Sequence, residues 1–200
     1  MIKNNFLNTA RSISTKGKKY NYKKFKIKIP YLWFFSDSKK TKNPQKILNH
    51  LPKNSGVVIR HYNDDNKQKI IHYAINKKTS RLLTVLIAGK YKRAYNIDGV
   101  HYPQWANNSQ NRKYKFISIS AHSGRDIRKS INVKANIAFI SPVFISSSHK
   151  NGYYLGVIKL GLLARLFKIP VIALGGINDT NIAKLKGLPI SGCAGIDVFL

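Results

Sequence analysis

Short apolar runs alternate with polar, helix-like segments along most of the chain. The runs are rich in β-branched and aromatic residues, which suit strands. Because they are apolar throughout, they predict strands buried on both faces, as in a parallel sheet. The predicted strands are Tyr31–Phe35, Gly56–Ile59, Leu82–Ile87, Gly99–Tyr102, Phe116–Ser120, Ile137–Phe144, Val171–Leu174 and Gly195–Leu200.

The segments between these runs carry helix signals. Pro44 stands near the start of one helix, Asn63 or Asp64 can cap another that runs to about Thr79, and Asn178 or Asp179 can cap the last. Other helices are predicted at 90–97, 124–131 and 153–167, and residues 105–114 are predicted to be irregular. The helix at 153–167 is the most amphipathic, with apolar residues at helical spacing: Leu155, Ile158, Leu162, Leu163 and Leu166.

Eight strands alternating with helices predict a (β/α)8 TIM barrel over residues 29–200. No helix is predicted after strand eight, and the chain has 200 residues where such barrels typically have about 250, so the barrel is compact. Residues 1–28 contain nine Lys or Arg and no acidic residue. They are predicted to form a disordered basic arm, with an organellar presequence as the alternative.

The composition is strongly basic. There are 36 Lys and Arg against 7 acidic residues, all Asp, for a net charge of +29. This favours anionic partners, among which nucleic acid, a phosphorylated metabolite and an anionic membrane surface all fit. A general bias toward Lys, Asn and Ile explains the charge equally well.

Compartment and membrane signals are few. No apolar run approaches the roughly 18 residues of a membrane span, so no membrane partner is expected. The single cysteine, Cys193, excludes an internal disulfide and suits a reducing compartment. A cytoplasmic protein is therefore expected.

Gly175 and Gly176 end the seventh predicted strand, just before a helix-start signal. Free N–H groups at such a junction bind phosphate, and glycine lets the anion approach the backbone. The loops after strands seven and eight are also the usual phosphate site of a TIM barrel. The alternative is that the two glycines only permit a tight turn.

Other predicted strand ends also carry groups suited to an oxyanion. Arg60 follows the second strand, and its guanidinium matches phosphate oxygens, although a salt bridge to Asp37 is the alternative. The loop at 141–150 offers hydroxyls at Ser146 and Ser148 and positive charge at His149, and it can equally be a flexible polar loop.

The sequence shows no metal or nucleotide motif. The six histidines have no compact zinc spacing, so no metal site is predicted, and His101 and His122 are expected to hydrogen-bond within or near the core. A nucleophile elbow, a P-loop signature and a dinucleotide fingerprint are all missing from the sequence.

An ordered set of motifs resembles the thiamine phosphate synthase and TenI family. The segments are GVVIRHY, NIDGVHYPQ, SISAHS, SPVFISSSHKNGYYLG, PVIALGGIN and GCAGIDVFL, and together they extend over about residues 30–200. The resemblance implies a (β/α)8 barrel. It implies a synthase that joins hydroxymethylpyrimidine diphosphate to thiazole phosphate with Mg²⁺, or a tautomerase that acts on thiazole phosphate.

The resemblance also implies site residues. It places Arg60 at the diphosphate, Ser120 at the strand-five serine, and Ser146 and Ser148 where the synthase has threonines. His149 takes the place of a loop lysine, and Gly175 and Gly176 form the phosphate-binding turn.

The chain departs from the family pattern at several of these positions. Tyr62 replaces a lysine, Ala88-Gly89 replace the end of strand three with its metal-binding aspartate, and YPQWANN lacks the second metal carboxylate. Pro142 stands where the tautomerase has its catalytic histidine. The Mg²⁺ ligands of the family are therefore expected to be lost here.

The leading interpretation is a thiamine-biosynthesis protein that binds thiazole phosphate or thiamine phosphate and, in the fullest case, joins the pyrimidine and thiazole precursors. The first alternative is a catalytically degenerate metabolite-binding relative. The second is a basic protein that binds RNA or an acidic partner, although the sequence shows no nucleic-acid-binding module. Whether the chain forms a homo-oligomer is left open.

Overall fold

The fold is a closed barrel of eight parallel strands in chain order, with β1 pairing with β8 to close it. The computed structural model describes residues 2–21, 28–62, 66–89, 96–106, 114–146 and 152–200, with side chains from 18 to 21 excepted. This confirms the predicted barrel. The strands are β1 (Leu32–Phe35), β2 (Gly56–Ile59), β3 (Thr84–Ala88), β4 (Gly99–Tyr102), β5 (Phe116–Ala121), β6 (Ile137–Ile140), β7 (Val171–Leu174) and β8 (Gly192–Gly195).

Helices surround the barrel, and several begin where the sequence predicts. The helices are α1 (Asn4–Asn21), α2 (Pro44–His50), α3 (Lys67–Arg81), α4 (Asp126–Asn132) and α5 (Gly156–Leu166), with 3-10 helices at Ile182–Leu185 and Asp197–Phe199. Asn43 caps α2 by accepting the Lys46 N–H at 2.9 Å. The predicted caps Asn63 and Asp64 and most of the predicted helix at 90–97 lie outside the described residues.

Alternate residues of each strand face the inside of the barrel. Trp33 and Phe35 of β1 belong to the interior cluster and contact Phe139 of β6 edge to face, with ring centroids 5.2 and 4.8 Å apart. The same alternation continues past the strand ends. Asp37 and Arg60 follow it, and their side chains meet in an ion pair at the carboxyl edge of the barrel.

Residues 4–21 form a helix that packs on the barrel, so the predicted disordered arm is wrong for this part of the chain. α1 buries Phe6, Ala10 and Ile13, each at most 2% exposed, and these residues have the spacing of one helix face. The basic composition of this segment conceals that periodicity. Lysines on the outer face can stay in water while the apolar face is buried.

α1 runs antiparallel to β8 along its outer face. At one end, Lys3 forms an ion pair with Asp179 at the carboxyl edge of the barrel. At the other end, Gly17 lies against the backbone just before β8, and a Cβ there would be 1.7 Å from the Ile190 carbonyl oxygen. α1 therefore covers the last strand of the barrel.

β8 is Gly192–Gly195 and not the predicted Gly195–Leu200. A Cβ on Gly192 would lie 2.2 Å from the carbonyl oxygen of Tyr31, so the close neighbouring backbone requires a small residue. Glycine usually weakens a strand, and the pattern therefore pointed to the more apolar residues that follow. These form a three-residue 3-10 helix at Asp197–Phe199, and no α-helix follows β8 within the described residues.

α5 is confirmed as a helix, but it packs on a different face from the one its large apolar residues suggest. Its buried side consists of Leu160, Gly161 and Ala164. The small residues let the helix approach the barrel closely. Three large apolar residues, one helical turn apart, are 55 to 78% exposed: Ile158, Leu162 and Leu166.

Candidate functional site

A cavity of about 770 Å³ opens at the carboxyl edge of the barrel, where TIM barrels carry their active sites. Its walls come from the loops after β1, β2, β6, β7 and β8 and from the residues just before α1. Of the predicted phosphate-binding residues, Arg60, Ser146, Gly175 and Gly176 line it. Ser120 is not among the lining residues, and Ser148 and His149 lie outside the described residues.

Arg60 forms an ion pair with Asp37, as the alternative interpretation of this arginine predicts. Its Nη2 donates to the Asp37 carboxylate at 2.6 Å, and its backbone N–H donates to Ser36 Oγ at 3.1 Å. Burial alone raises the pKa of Asp37, but the hydrogen bond and charge of Arg60 outweigh it and hold that pKa below its usual value. Arg60 nevertheless lines the cavity with its side chain 29% exposed.

Ser120 is hydrogen-bonded to a buried histidine. Nδ1 of His101 lies 3.0 Å from Ser118 Oγ, and its Nε2 lies 3.0 Å from Ser120 Oγ. His122 bonds through Nδ1 to the Ser141 carbonyl oxygen. Both histidines therefore hydrogen-bond as predicted, and the Ser120 hydroxyl is oriented by an imidazole.

The glycine pair forms a tight turn at the end of β7. Gly175 and Gly176 have φ angles of 97° and 68°, which favour glycine, and a Cβ on Gly176 would lie 2.3 Å from the Ile145 carbonyl oxygen. The turn alone thus requires glycine. Among the described residues, the backbone N–H groups of Gly176 and Ile177 have no protein acceptor, and both residues line the cavity.

Asn178 closes the turn that follows, but it is not the N-cap of a helix as predicted. Its Oδ1 accepts the N–H groups of Thr180 and Asn181 at 3.0 and 3.2 Å, and Asn181 Oδ1 accepts the Asn178 N–H in return. The helix behind this turn is only the four-residue 3-10 helix Ile182–Leu185, whose N-cap is Asn181. Its dipole is correspondingly small, so an anion site here depends on individual N–H groups.

Three ion pairs line the cavity, and two of their carboxylates were missed from the sequence. Asp197 pairs with Lys40 at 3.3 Å, and Asp179 pairs with Lys3 at 3.0 Å, in addition to the pair made by Asp37. The sequence pattern predicts Asp179 only as a helix cap and places Asp197 in a strand. The sequence signal for a place at the cavity is that Asp179 comes shortly after Gly175-Gly176 and Asp197 shortly after Gly195.

The end of β3 holds a cation where the resemblance implies a metal-binding aspartate. Lys67 is 8% exposed, and its Nζ donates to the Ala88 carbonyl oxygen at 2.8 Å. Burial lowers the pKa of Lys67. In the described ranges, no three His, Cys, Asp or Glu side chains come together as metal ligands. The described residues at this strand end do not fit Mg²⁺, and the loss of the family's Mg²⁺ ligands in the whole chain stays a prediction.

Comparison with known proteins decides the family. A family model described as thiamine monophosphate synthase, TMP-TENI, matches residues 67–199, which is more than half of the chain. The chain belongs to the thiamine monophosphate synthase family. Members of this family take part in thiamine biosynthesis, and the resemblance of the sequence motifs is thereby confirmed.

Individual relatives cover the chain unevenly. A thiamine-phosphate synthase of Prochlorococcus marinus subsp. pastoris is 38% identical over 80 residues, which are 40% of this chain and only 23% of that protein. An Aquifex aeolicus protein, provisionally named thiamine-phosphate synthase 2, is 27% identical over 87% of this chain and its own whole length.

A solved structure supports the fold. The thiamine phosphate pyrophosphorylase from Pyrococcus furiosus superposes with a TM-score of 0.66 at 18% identity, covering 83% of this chain and 85% of that one. At this identity, the likeness concerns the barrel alone. None of the helices in the described ranges combines the length and the hydrophobicity of a membrane span.

Proposed function

We propose that this member of the family binds thiazole phosphate or thiamine phosphate in the cavity at the carboxyl edge of the barrel. The observation that carries the proposal is the place of Arg60. Its guanidinium lines the same cavity as the Gly175-Gly176 turn, so a cationic fork and backbone N–H groups face one space. Family membership supplies the class of ligand.

The ion pair with Asp37 is compatible with ligand binding by Arg60. Asp37 engages Nη2 of the guanidinium, which has five N–H donors in all. The carboxylate thus fixes the side chain's orientation and leaves further donors for phosphate oxygens. A pre-oriented fork loses less conformational entropy on binding than a mobile one.

The turn after β7 supplies the second half of the proposed phosphate site. The N–H groups of Gly176 and Ile177 lack a protein acceptor among the described residues, and an oxyanion in the cavity can provide one. Ser146, also on the cavity wall, adds a hydroxyl donor. Hydrogen bonds to a charged acceptor are the stronger kind, at about 1.5–3 kcal/mol each.

A second candidate function is binding without synthase chemistry. The observation that favours it is Lys67, whose ammonium occupies the strand end where a synthase by resemblance holds Mg²⁺. Release of a diphosphate in the synthase reaction needs its negative charge neutralised. An ammonium supplies one positive charge where Mg²⁺ would supply two, so this chain retains ligand affinity more readily than turnover.

The test is calorimetric titration with thiazole phosphate, thiamine phosphate and pyrophosphate, each with and without Mg²⁺. We expect Arg60→Ala to weaken binding of the phosphorylated ligands by about 1.5–3 kcal/mol. Arg128→Ala is the matched control, because it removes the same charge from an exposed position on α4. Equal affinities for wild type and Arg60→Ala would contradict the proposal.

A further variant separates two causes of that loss. Arg60→Ala leaves the Asp37 carboxylate unpaired, and its charge then repels the ligand. In the double variant Arg60→Ala with Asp37→Asn, this repulsion is gone and only the missing donors remain. A double variant that still binds more weakly than Asp37→Asn alone supports direct contact between Arg60 and the phosphate. A double variant equal to Asp37→Asn would exclude it.

A further inference from the structure

The residues just before α1 form part of the cavity wall. Ile2 and Lys3 both line the cavity, next to the loop that follows β7. This places an amino-terminal segment beside the proposed phosphate site. The sequence offers no hint of the contact, since more than 170 residues separate Lys3 from that loop.

The position of this segment is set by the packing of α1. Phe6, Ala10 and Ile13 are buried on the barrel, and Gly17 fits against the Ile190 backbone with no room for a side chain. A bulkier residue at Gly17 would push the helix off β8. Lys3 is in turn joined to the helix, because its carbonyl accepts the Leu7 N–H at 3.2 Å. The start of the helix is thus held at the cavity by contacts along its length.

Lys3 presents its ammonium at the mouth of the cavity. Nζ lies 3.0 Å from the Asp179 carboxylate, while the Lys3 side chain is 75% exposed. Lys3 and Asp179 line the same cavity as Gly176 and Ile177, so the ammonium shares this cavity with the N–H groups proposed to bind phosphate. An exposed ion pair of this kind contributes little to stability, about 0–1 kcal/mol, and so breaks or shares its cation at little cost.

We infer that α1 completes the ligand cavity and that Lys3 binds the phosphate group of the ligand, with Asp179 holding its ammonium in place when the site is empty. This inference rests on the proposed function. A phosphate monoester carries more negative charge than a carboxylate and offers three oxygens, so it competes well for a flexible ammonium. Lys3 then shares its charge between Asp179 and the ligand.

The experiment compares charge removal at the two ends of α1. Lys3→Gln and Lys16→Gln each remove one positive charge from the helix, and Lys16 is exposed far from the cavity. Affinity for thiazole phosphate and for inorganic phosphate is measured by titration at two salt concentrations. We expect Lys3→Gln to weaken both ligands about 5- to 10-fold, the effect of one partly exposed charge-assisted hydrogen bond. Lys16→Gln should match wild type.

Two more variants test the sharing of the ammonium. Lys3→Arg retains the charge and should restore most of the affinity. Asp179→Asn removes the competing carboxylate, so this variant should bind phosphate at least as tightly as wild type. Any gain in affinity should vanish when Asp179→Asn is combined with Lys3→Gln. Unchanged melting temperatures in Lys3→Gln and Lys16→Gln keep the comparison free of folding effects.

The outcomes distinguish this inference from the proposed function. If wild type and Lys3→Gln bind thiazole phosphate equally well, the role of Lys3 is overturned and the proposed function stands. Wild type that binds none of the phosphorylated ligands overturns the proposed function, and this inference with it. Equal losses in Lys3→Gln and Lys16→Gln would show only a long-range effect of net charge and would also overturn the role of Lys3.

Discussion

At the scale of single residues, the His101 imidazole is buried and has a hydrogen-bond partner at each ring nitrogen. It lies inside the barrel between two serine hydroxyls, with the rings of Phe35 and Phe139 edge-on at 5.4 and 5.6 Å. Burial, together with the positive charges of Arg60 and Lys129, lowers the pKa of His101 to about 3. His101 is therefore neutral near pH 7, where it orients Ser120 rather than acting as an acid.

This depressed pKa predicts a loss of stability on acidification. Between pH 6.5 and 3, the unfolded chain takes up a proton at His101 and the folded chain does not, so stability falls as the pH falls through this window. At pH 4.5, this contribution is about 2–3 kcal/mol lower than at pH 7. Urea denaturation at the two pH values measures it.

His101→Asn is the matched variant, because an amide keeps polar groups at this position but does not titrate. Its free energy of unfolding should change less between pH 7 and pH 4.5 than that of the wild type, since all other titrating groups are common to both proteins. An identical pH dependence would show that His101 does not carry the effect.

At the scale of elements, α1 and α5 show how an apolar stripe can mislead. α1 belongs to a very basic segment, yet its stripe is buried against β8. α5 has the more conspicuous stripe, yet that stripe faces solvent and the small residues opposite it pack on the barrel. Close approach of the backbones decides between the two faces of α5. A Cβ added at Gly161 would lie 3.2 Å from the Leu188 side chain, so there is little spare room at that contact.

Truncating one residue in each stripe should therefore have unequal effects on folding. Phe6→Ala removes a ring that is 2% exposed and leaves a cavity, so the free energy of unfolding should drop by about 3 kcal/mol or more. Leu162→Ala shortens a side chain that is 55% exposed. It should change the free energy of unfolding by less than about 0.5 kcal/mol. Urea denaturation of the two variants checks this, and similar losses in both would contradict the packing of α1.

At the scale of the whole molecule, positive charge dominates, and the described aspartates are engaged by cations or backbone N–H groups. The chain carries a net charge of +29. Every aspartate within the described ranges has a partner. Asp126 accepts the backbone N–H groups of His122 and Ser123. The other four form ion pairs: Asp37, Asp98, Asp179 and Asp197. Such a molecule attracts anions and offers a hard cation few oxygens.

Magnesium should consequently bind weakly to the protein without a ligand. We expect millimolar MgCl₂ to leave the melting temperature unchanged relative to the same concentration of choline chloride, whereas pyrophosphate should raise it. Synthase turnover should be weak or absent. Robust Mg²⁺-dependent formation of thiamine phosphate by the purified protein would refute this prediction, and a Lys67→Ala variant would then show whether the ammonium at β3 matters.

Gly176→Val is a poor test of the proposed phosphate site. A valine side chain at this position would enter the cavity, but it would also disturb the fold. In the structure, a Cβ at this position collides with backbone oxygens of Phe144 and Ile145, and φ is positive. The substitution disturbs the turn itself, so it cannot separate the two roles, and Arg60 and Lys3 are the better probes.

Local patterns in the sequence determined the strands and the order of the barrel. Apolar runs such as Gly56–Ile59 and Val171–Leu174 predict their strands to the residue, because a strand buried on both faces needs apolar side chains throughout. Glycines at a strand end and an arginine after an apolar run likewise indicate a site at the carboxyl edge. The phosphate-binding roles of these residues stay predictions.

Only the tertiary structure decided which side chains meet. The pairs Arg60–Asp37, His101–Ser120 and Lys3–Asp179 each join separate elements, and their geometry depends on the closing of eight strands around one axis. The place of α1 is of the same kind. A basic segment is stable as a helix only when its apolar face finds a surface to cover, and that surface, the outside of β8, exists only after the barrel has closed.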